Sequence, residues 1–312
     1  MSYTSIDASK AGNSDGAYII DFISLLKPRV MSLVVFTGFV GLFLAPGGLH
    51  PILEVIAIFC IAIGAGASGA INMWFDRDID SLMSRTKYRP IPAGRVTPEA
   101  ALTFGVLLGG GSVMIMGLAV NWLSAFLLAF TIGFYIFVYT IWLKRRTPQN
   151  IVIGGAAGAL PPMIGWSAVS GTVAVESIAL FIIIFVWTPP HFWALSLYRS
   201  NDYRVAGVPM LPLTHGKRET CRQILVYSVI LGVVSLLPCI LGTVGILFGA
   251  AAFLLGALFL MFSWRVFVTE SEKNCRQLFG FSIVYLFLLF TALVADRIID
   301  FPQSLNFMGM LV

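Results

Sequence analysis

The stretch NMWFDRDIDSLMSRTKYRP, from Asn72 to Pro90, places three carboxylates and a group of bases directly after a long apolar run. Acidic residues are scarce elsewhere, because the whole chain of 312 residues has only 15 Asp and Glu. With 58% hydrophobic and 11% charged residues, the chain has too little polar surface for a soluble globular protein. The sequence therefore predicts an integral membrane protein that concentrates acids at one place.

Long gaps between charged residues predict where the chain crosses the bilayer. The gaps contain no charge except Glu54 and Glu176, and they cover residues 30–75, 100–143, 147–198, 223–264 and 277–295. Each of the first four is about twice the ~20 residues that one helix needs to span a membrane, and turn-forming residues divide each near its middle. We therefore predict an all-α membrane protein with nine transmembrane helices, arranged as two four-helix halves plus a ninth helix.

The distribution of bases predicts the orientation of these helices. With nine crossings, all of the 20 Lys and Arg residues except Arg297 lie on one side of the membrane. Basic loops face the cytoplasm under the positive-inside rule. We expect a polar cytoplasmic tail over residues 1–25, a single nine-helix domain over 26–299, and a short outer tail over 300–312. The net charge of +5 follows this topology, so we expect no nucleic-acid partner.

Asn72, Asp76 and Asp80 share one helix face if the helix continues past Phe75, because they follow one another at intervals of four. In the predicted topology this is a helix C-terminus, where the macrodipole disfavours carboxylates. Two acids one turn apart also repel each other by roughly 0.2–0.5 kcal/mol. A cation must compensate for this negative charge. It is either a neighbouring base at a solvated loop end or Mg²⁺, which proteins hold with one or two carboxylates plus substrate phosphates.

Three groups of bases are predicted on the same face as these acids. They are Arg85, Lys87, Arg89 and Arg95, then Lys144, Arg145 and Arg146, then Arg199, Arg204, Lys217 and Arg218. Arginine binds phosphate oxygens in pairs and lysine provides a point charge. Positive-inside bias explains bases without a ligand, but it does not explain the acids. The combination indicates a metal-bridged phosphate or diphosphate that carries a long hydrocarbon.

Three segments make the chain resemble the UbiA-type intramembrane prenyltransferases. They are NMWFDRDIDSLMSRTKYRPIPAGRV (72–96), LKRRTPQNIVIGGAAGALPPMIGW (143–166) and WTPPHFWALSLYRSNDYRVAGVPMLP (187–212). Within that superfamily the chain resembles the branch that farnesylates protoheme IX. The resemblance implies a nine-helix enzyme of the bacterial inner membrane that transfers the farnesyl group of farnesyl diphosphate to a vinyl carbon of protoheme IX, with Mg²⁺ as cofactor. Heme-handling or terminal oxidase assembly proteins are the further partners that it implies.

The resemblance also implies roles for individual residues. Asn72, Asp76 and Asp80 would hold Mg²⁺ on the diphosphate. Further residues would neutralise or line the diphosphate site or belong to the second motif: Arg85, Lys87, Arg89, Lys144, Arg145, Tyr139, Asn150, Arg199, Asp202 and Tyr203. Two departures from the superfamily pattern, Met73 and Ala206 in place of aspartates, are typical of the heme-prenylating branch and leave fewer carboxylates for a second Mg²⁺.

His191, in the segment PPHFW, is a candidate ligand of the heme iron, because a neutral imidazole ligates iron. A hydrogen bond between helices or a contact with diphosphate would explain it equally. Three other functions stay open at this point. They are prenylation of an aromatic quinone precursor, secondary transport, and heme binding without catalysis, which would need His191 but not Asp76 or Asp80.

Overall fold

The computed structural model describes residues 14–308, and it describes the side chains of residues 19–299. Residues 1–13 of the predicted tail and residues 309–312 lie outside this range. The described residues form helices joined by short loops, without a strand. The helices are α1 Ser14–Leu25, α2 Pro28–Leu44, α3 Pro51–Phe75, α4 Arg77–Leu82, α5 Pro98–Ala119, α6 Trp122–Gly133, α7 Asn150–Ala159, α8 Pro161–Ser170, α9 Val175–Tyr198, α10 Ser200–Val205, α11 Leu211–Thr214, α12 Gly216–Val234, α13 Leu237–Ile240, α14 Ile246–Thr269 and α15 Glu272–Met308. Helix α6 continues without a break as a π-helix over Phe134–Leu143.

Within the described range, 8 helical units are long and apolar enough to cross a membrane. They are Pro51–Phe75, Pro98–Ala119, Trp122–Leu143, Asn150–Ser170, Val175–Tyr198, Gly216–Ile240, Ile246–Thr269 and Glu272–Ile299. Helix α2 is apolar but has only 17 residues. The helices break within or beside the turn-forming segments of the sequence, at 45–50, 120–121, 171–174 and 241–245. The all-helical membrane class is confirmed, whereas the ninth crossing and the orientation stay predictions.

Two hydrophobic cores hold the described helices together. The larger core joins α9, α12, α14 and α15, with Ile183, Phe248 and Tyr285 among its buried side chains. The other core joins α2, α3, α5, α6 and α8 and includes Ile61 and Leu128. Helix α2 reaches both cores, since Val40 belongs to the first and Leu42 to the second. A short apolar helix near the N-terminus thus connects the two groups of helices.

Glycines allow α2 and α8 to approach at backbone distance. A Cβ atom added at Gly165 would lie 2.0 Å from the carbonyl oxygen of Gly38, and one at Gly41 would lie 2.0 Å from that of Pro162. Such contacts are typical of membrane helices, because small residues let two backbones pack directly against each other. Any larger side chain here must push the two helices apart.

A buried carboxylate fixes α15 to the start of α14. Asp296 is 3% exposed and accepts hydrogen bonds from the backbone amides of Gly245 and Phe248, the latter at 3.0 Å. The first amides of a helix have no partner within the helix, and the positive end of its dipole favours an anion. In the sequence, Asp296 marks only the end of an uncharged gap, so this tertiary cap was not predicted.

The loops that carry most charges meet at one end of the described structure, which we call the charged end. It comprises residues 76–97, 144–149 and 199–215, and side-chain contacts join all three segments. Lys144 contacts Asp76, and Ser84 donates to Asp202. The residues predicted to bind a diphosphate therefore lie on neighbouring segments.

We expect Gly165→Ala to destabilise the protein by about 1–3 kcal/mol, the usual cost of overpacking, because the added methyl meets the α2 backbone. Gly110→Ala is the matched control, since a Cβ there has no neighbour within 4 Å. The control should be neutral or slightly stabilising, as alanine is the better helix former. Thermal unfolding in detergent measures both variants, and equal midpoints would contradict close α2–α8 packing.

Candidate active site

Asn72, Asp76 and Asp80 line one side of the junction between α3 and α4. Helix α3 ends at Phe75, but the Asp76 amide still donates to the Asn72 carbonyl at 2.9 Å and the Asp80 amide to the Asp76 carbonyl at 2.8 Å. These bonds preserve the helical spacing that the sequence predicts. Asp76 is fully buried, and Asn72 and Asp80 are 4% and 3% exposed. The side-chain amide of Asn72 donates to Asp76 Oδ2 at 2.7 Å.

Each of the two buried carboxylates has a basic partner from another segment. Lys144 contacts Asp76 Oδ2, and Arg89 Nη1 lies 2.6 Å from Asp80 Oδ2. A charge removed from water is tolerated only when it is paired in this way. Both bases are among those that the sequence predicts for a diphosphate site, and both are mostly buried.

Asp78 lies away from this pair and binds Arg145. The guanidinium donates to both Asp78 oxygens, at 2.8 and 2.7 Å, and these bonds hold the Asp78 pKa below its usual value. The same Arg145 has a second nitrogen contact, 3.7 Å from Asp76 Oδ1, which is too long for a hydrogen bond. Arg145 therefore lies between the exposed acid and the buried pair.

Lys27 is a site residue that the sequence analysis treated only as part of the basic face. Its Nζ atom donates to Asn72 Oδ1 at 2.9 Å. Burial, with the nearby charges of Arg89 and Lys144 as the next causes, lowers the Lys27 pKa to about 7. Its backbone is left-handed, at φ 53° and ψ 55°, which is uncommon for a residue other than glycine. A strained backbone conformation persists only where the surrounding structure holds it, and such residues cluster at functional sites.

The π-helix presents Thr140 and Lys144 to the first motif. Asn72 Nδ2 donates to Thr140 Oγ1 at 3.1 Å, and that hydroxyl donates to the Tyr135 carbonyl at 2.8 Å. The Lys144 amide bonds the Tyr139 carbonyl at 2.9 Å, five residues back. Segments wound in this way occur frequently at functional sites. The sequence FYIFVYTIWL contains no glycine or proline to signal the change.

Tyr139 and Asn150 lie on the two helical segments that flank the loop of Lys144. The Tyr139 ring packs against Gly154, where an added Cβ would lie 2.2 Å from a ring carbon. The Asn150 amide donates to the Thr147 carbonyl at 2.6 Å, while Asn150 Oδ1 is buried without a hydrogen-bond partner among the described residues. Asn150 thus has an unused acceptor, which is compatible with a bound ligand.

The oxygen atoms at the first motif fit a partly protein-held divalent ion. Asp76 Oδ1 is buried and has no hydrogen-bond partner among the described residues. In that range no group of three His, Cys, Asp or Glu side chains could hold a metal by itself. Mg²⁺ characteristically binds one or two carboxylates and completes its shell with water and substrate phosphate. Asp76 and Asp80 meet that requirement, whereas the Asn72 oxygen is engaged by Lys27.

The second motif touches the first through Asp202. Ser84, in the loop after α4, donates to both Asp202 oxygens, at 2.8 and 3.1 Å. Tyr203 packs in a small apolar cluster with the buried Ile79 and Met83. Both motif loops therefore form one surface, although Asp202 does not join the buried acid pair.

Other predicted residues lie further from that pair. Arg85 and Lys87 are exposed and form no ion pair among the described residues, and the Lys87 ammonium lies 5.0 Å from the ring centre of its neighbour Tyr88. Arg199 is also exposed and lies over the Tyr198 ring at 5.7 Å. The structure thus places Arg89, rather than Arg85 or Lys87, on the acids.

His191 lies in an aromatic cluster beside the larger core. Its Nδ1 atom is 2.6 Å from Ser282 Oγ of α15, so a hydrogen bond joins the two helices. The imidazole stacks on Trp187 and Phe279, with ring centres 4.3 and 4.7 Å away. The interhelical hydrogen bond considered for this residue is therefore present, and a role toward iron stays a prediction that would use the other ring nitrogen.

The sequence is similar to those of several curated bacterial proteins along nearly its whole length. It is 59% identical over 283 residues to a protoheme IX farnesyltransferase of Parvibaculum lavamentivorans, covering 89% of each chain. It is 58% identical over 294 residues to a protein of the same name from Rhizobium johnstonii, covering 93% of each chain.

Two solved structures share the fold at low sequence identity. A structure of digeranylgeranylglyceryl phosphate synthase has a TM-score of 0.75 at 17% identity and covers 90% of this chain and 99% of its own. A UbiA homolog from Archaeoglobus fulgidus, bound to DMAPP and Mg²⁺, has a TM-score of 0.62 at 15% identity, with 87% and 99% covered. The sequence model of the UbiA prenyltransferase family matches residues 34–291. By this match and by these relatives, the chain belongs to the UbiA prenyltransferase family.

Proposed function

We propose that this protein transfers the farnesyl group of farnesyl diphosphate to a vinyl carbon of protoheme IX. Addition of water at the same substituent then leaves a hydroxyethylfarnesyl group, which is heme O chemistry. The observation that carries the proposal is the buried pair Asp76 and Asp80, which Lys27, Lys144 and Arg89 surround. The names of the most similar relatives supply the heme substrate.

The charges at the first motif suit ionisation of an allylic diphosphate. When the bond between the farnesyl carbon and the diphosphate oxygen breaks, negative charge grows on the diphosphate. Lys144 and Arg89 each contact one buried carboxylate, and Lys27, bonded to Asn72, adds partial positive charge at neutral pH, so a positive surplus remains for this anion. Fixed charges in a site that excludes water stabilise a developing charge more strongly than solvent does.

Asp76 and Asp80 would hold Mg²⁺, with Asn72 beside them. When bound, the ion supplies charge neutralisation at the diphosphate and so makes it a better leaving group. Arg145 lies next to Asp76. Its guanidinium can donate to phosphate oxygens as it now donates to the carboxylate of Asp78. Tyr139 and the free oxygen of Asn150 would line the same site from the side of α7.

The aromatic cluster around His191, beside the larger core, is the proposed place for the tetrapyrrole. Trp187, His191 and Phe279 form a stack of flat rings between α9 and α15. A porphyrin can pack on such rings, and the Nε2 atom of His191 would face its iron. Relatives named for protoheme IX favour this acceptor over an aromatic quinone precursor. A transporter is less well supported, because the buried acids lie at the end of α3 and not at its middle.

The membrane topology completes the proposal. Helix α2 would supply a ninth crossing, although it is shorter than the other spans. The charged end would then face the cytoplasm of a bacterium under the positive-inside rule, with α15 ending on the outer side. Farnesyl diphosphate would enter with its diphosphate at that end and its hydrocarbon among the apolar helices.

Asp76→Asn tests the reaction. In membranes given farnesyl diphosphate, Mg²⁺ and heme, we expect the wild type to form the hydroxyethylfarnesyl product and the variant to lose at least about 100-fold in rate. Asp78→Asn is the matched control, because this neighbouring acid is exposed and should cost far less. Mass spectrometry detects the product, and heme binding should survive in both variants.

Two outcomes of this experiment would contradict the proposal. Unchanged turnover in Asp76→Asn would show that the buried acid pair does not serve the diphosphate. Hydroxybenzoate is offered in parallel as the alternative acceptor. Prenyl transfer to hydroxybenzoate but not to heme would replace the heme assignment with the quinone-precursor one.

Lys27→Met tests the base that the sequence analysis did not assign. We expect KM for farnesyl diphosphate to rise about tenfold or more, since removal of a charge-assisted contact typically costs 1.5–3 kcal/mol. Arg29→Met, two residues along and exposed, is the control and should change KM little. Equal KM values in both variants would show that Lys27 serves only the folding of the α1–α2 junction.

A further inference from the structure

Two arginines lie over one tyrosine beside the charged end, Arg199 directly after α9 and Arg276 on α15. The guanidinium carbon of Arg199 lies 5.7 Å from the Tyr198 ring centre, and that of Arg276, on α15, lies 5.4 Å from the same centre. Both arginines are exposed, and Tyr198 is half-buried. A cation over an aromatic ring contributes about 0.5–1 kcal/mol at exposed sites, which does little to offset the repulsion between two like charges.

These two guanidinium groups have little acidic compensation. Among the described residues, Arg199 forms no ion pair, and Arg276 has only a 3.7 Å contact with Glu272 in which both side chains are largely exposed. Exposed pairs at this distance contribute almost nothing. Beside Arg276, the surface of α15 formed by Glu272, Lys273 and Gln277 is open to its surroundings. Two guanidinium groups with free N–H donors beside open space can bind carboxylates or phosphates.

The arginine pair is connected to His191 by aromatic contacts. The Tyr198 ring lies 6.0 Å from Phe279, and Phe279 lies 4.7 Å from the imidazole. On α9, Tyr198 follows His191 by seven residues, so the two share a helix face and are separated by about 10 Å along the axis. This separation is similar to that between the centre of a porphyrin and its propionate carboxylates.

We infer that Arg199 and Arg276 bind the two propionate carboxylates of the tetrapyrrole. The inference rests on the proposed function and extends it, because it states how the heme is oriented. With its propionates at the charged end, the ring lies toward Trp187, His191 and Phe279. The vinyl-bearing edge, opposite the propionates, then points into the apolar interior, where the farnesyl chain lies.

The test compares protoheme IX with its dimethyl ester, in which both carboxylates are neutral. Equilibrium binding to the purified protein is followed by the heme absorbance, so the result does not depend on turnover. We expect the wild type to bind the free acid about tenfold or more tightly than the ester, the effect of losing one or two charge-assisted contacts. Equal affinities in the wild type would overturn the inference without any variant.

Arg199→Gln and Arg276→Gln test whether these two arginines cause the preference for the free acid over the ester. Each should weaken binding of the acid about tenfold and leave binding of the ester unchanged, so the double variant should no longer distinguish the two. Arg265→Gln is the matched control, because Arg265 lies over a different ring, that of Phe262 at 5.9 Å. Discrimination that persists in the double variant would overturn the inference.

Turnover separates this inference from the proposed function. If both hold, KM for heme rises in the arginine variants while KM for farnesyl diphosphate stays constant. A rise in KM for farnesyl diphosphate instead would assign these arginines to the diphosphate and overturn the propionate role. If the wild type binds the acid selectively but forms no farnesylated product, the propionate site stands and the proposed function fails.

Discussion

Burial of Asp76 and Asp80 is the constraint on which the charged end depends. Two carboxylates taken out of water cost several kcal/mol each unless cations and hydrogen bonds replace the solvent. The replacements come from distant parts of the chain: Lys27 before α2, Arg89 in the loop after α4, and Lys144 at the end of the π-helix. The polar contacts of this acid site therefore link three segments of the chain, in addition to the apolar packing of Leu25, Met73 and Ile91.

A purely structural ion cluster would be expected to balance its charges. Here Lys27 adds positive charge beside the two bases that contact the acids, and an oxygen of Asp76 stays without a hydrogen bond among the described residues. Lys27, which bonds Asn72, also has a left-handed backbone conformation. An unbalanced positive charge, an unused acceptor and a strained base are each unfavourable in the free protein. In the proposed reaction, a metal-bound polyanion in the site would offset all three.

The sequence was sufficient for features that depend on local periodicity. Spacing at intervals of four placed Asn72, Asp76 and Asp80 on one face, and uncharged gaps located the long helices, because both follow from helix geometry and bilayer thickness. The sequence did not predict the features that depend on tertiary contact. Arg85 and Arg89 look alike in the sequence, and only the course of the loop brings Arg89 to Asp80. Lys27 and the π-helix at Thr140 had no local signal either.

The two groups of functional residues lie on different helix sets, and this separation bears on the proposed reaction. The acid pair belongs to α3 and α4, whereas His191 and its hydrogen-bonded partner Ser282 belong to α9 and α15. Farnesyl and tetrapyrrole must nevertheless meet within bonding distance. The hydrogen bonds from Ser84 to Asp202 are the direct polar link between the two motif loops. An acid in the second motif can thus align the two loops without holding a metal.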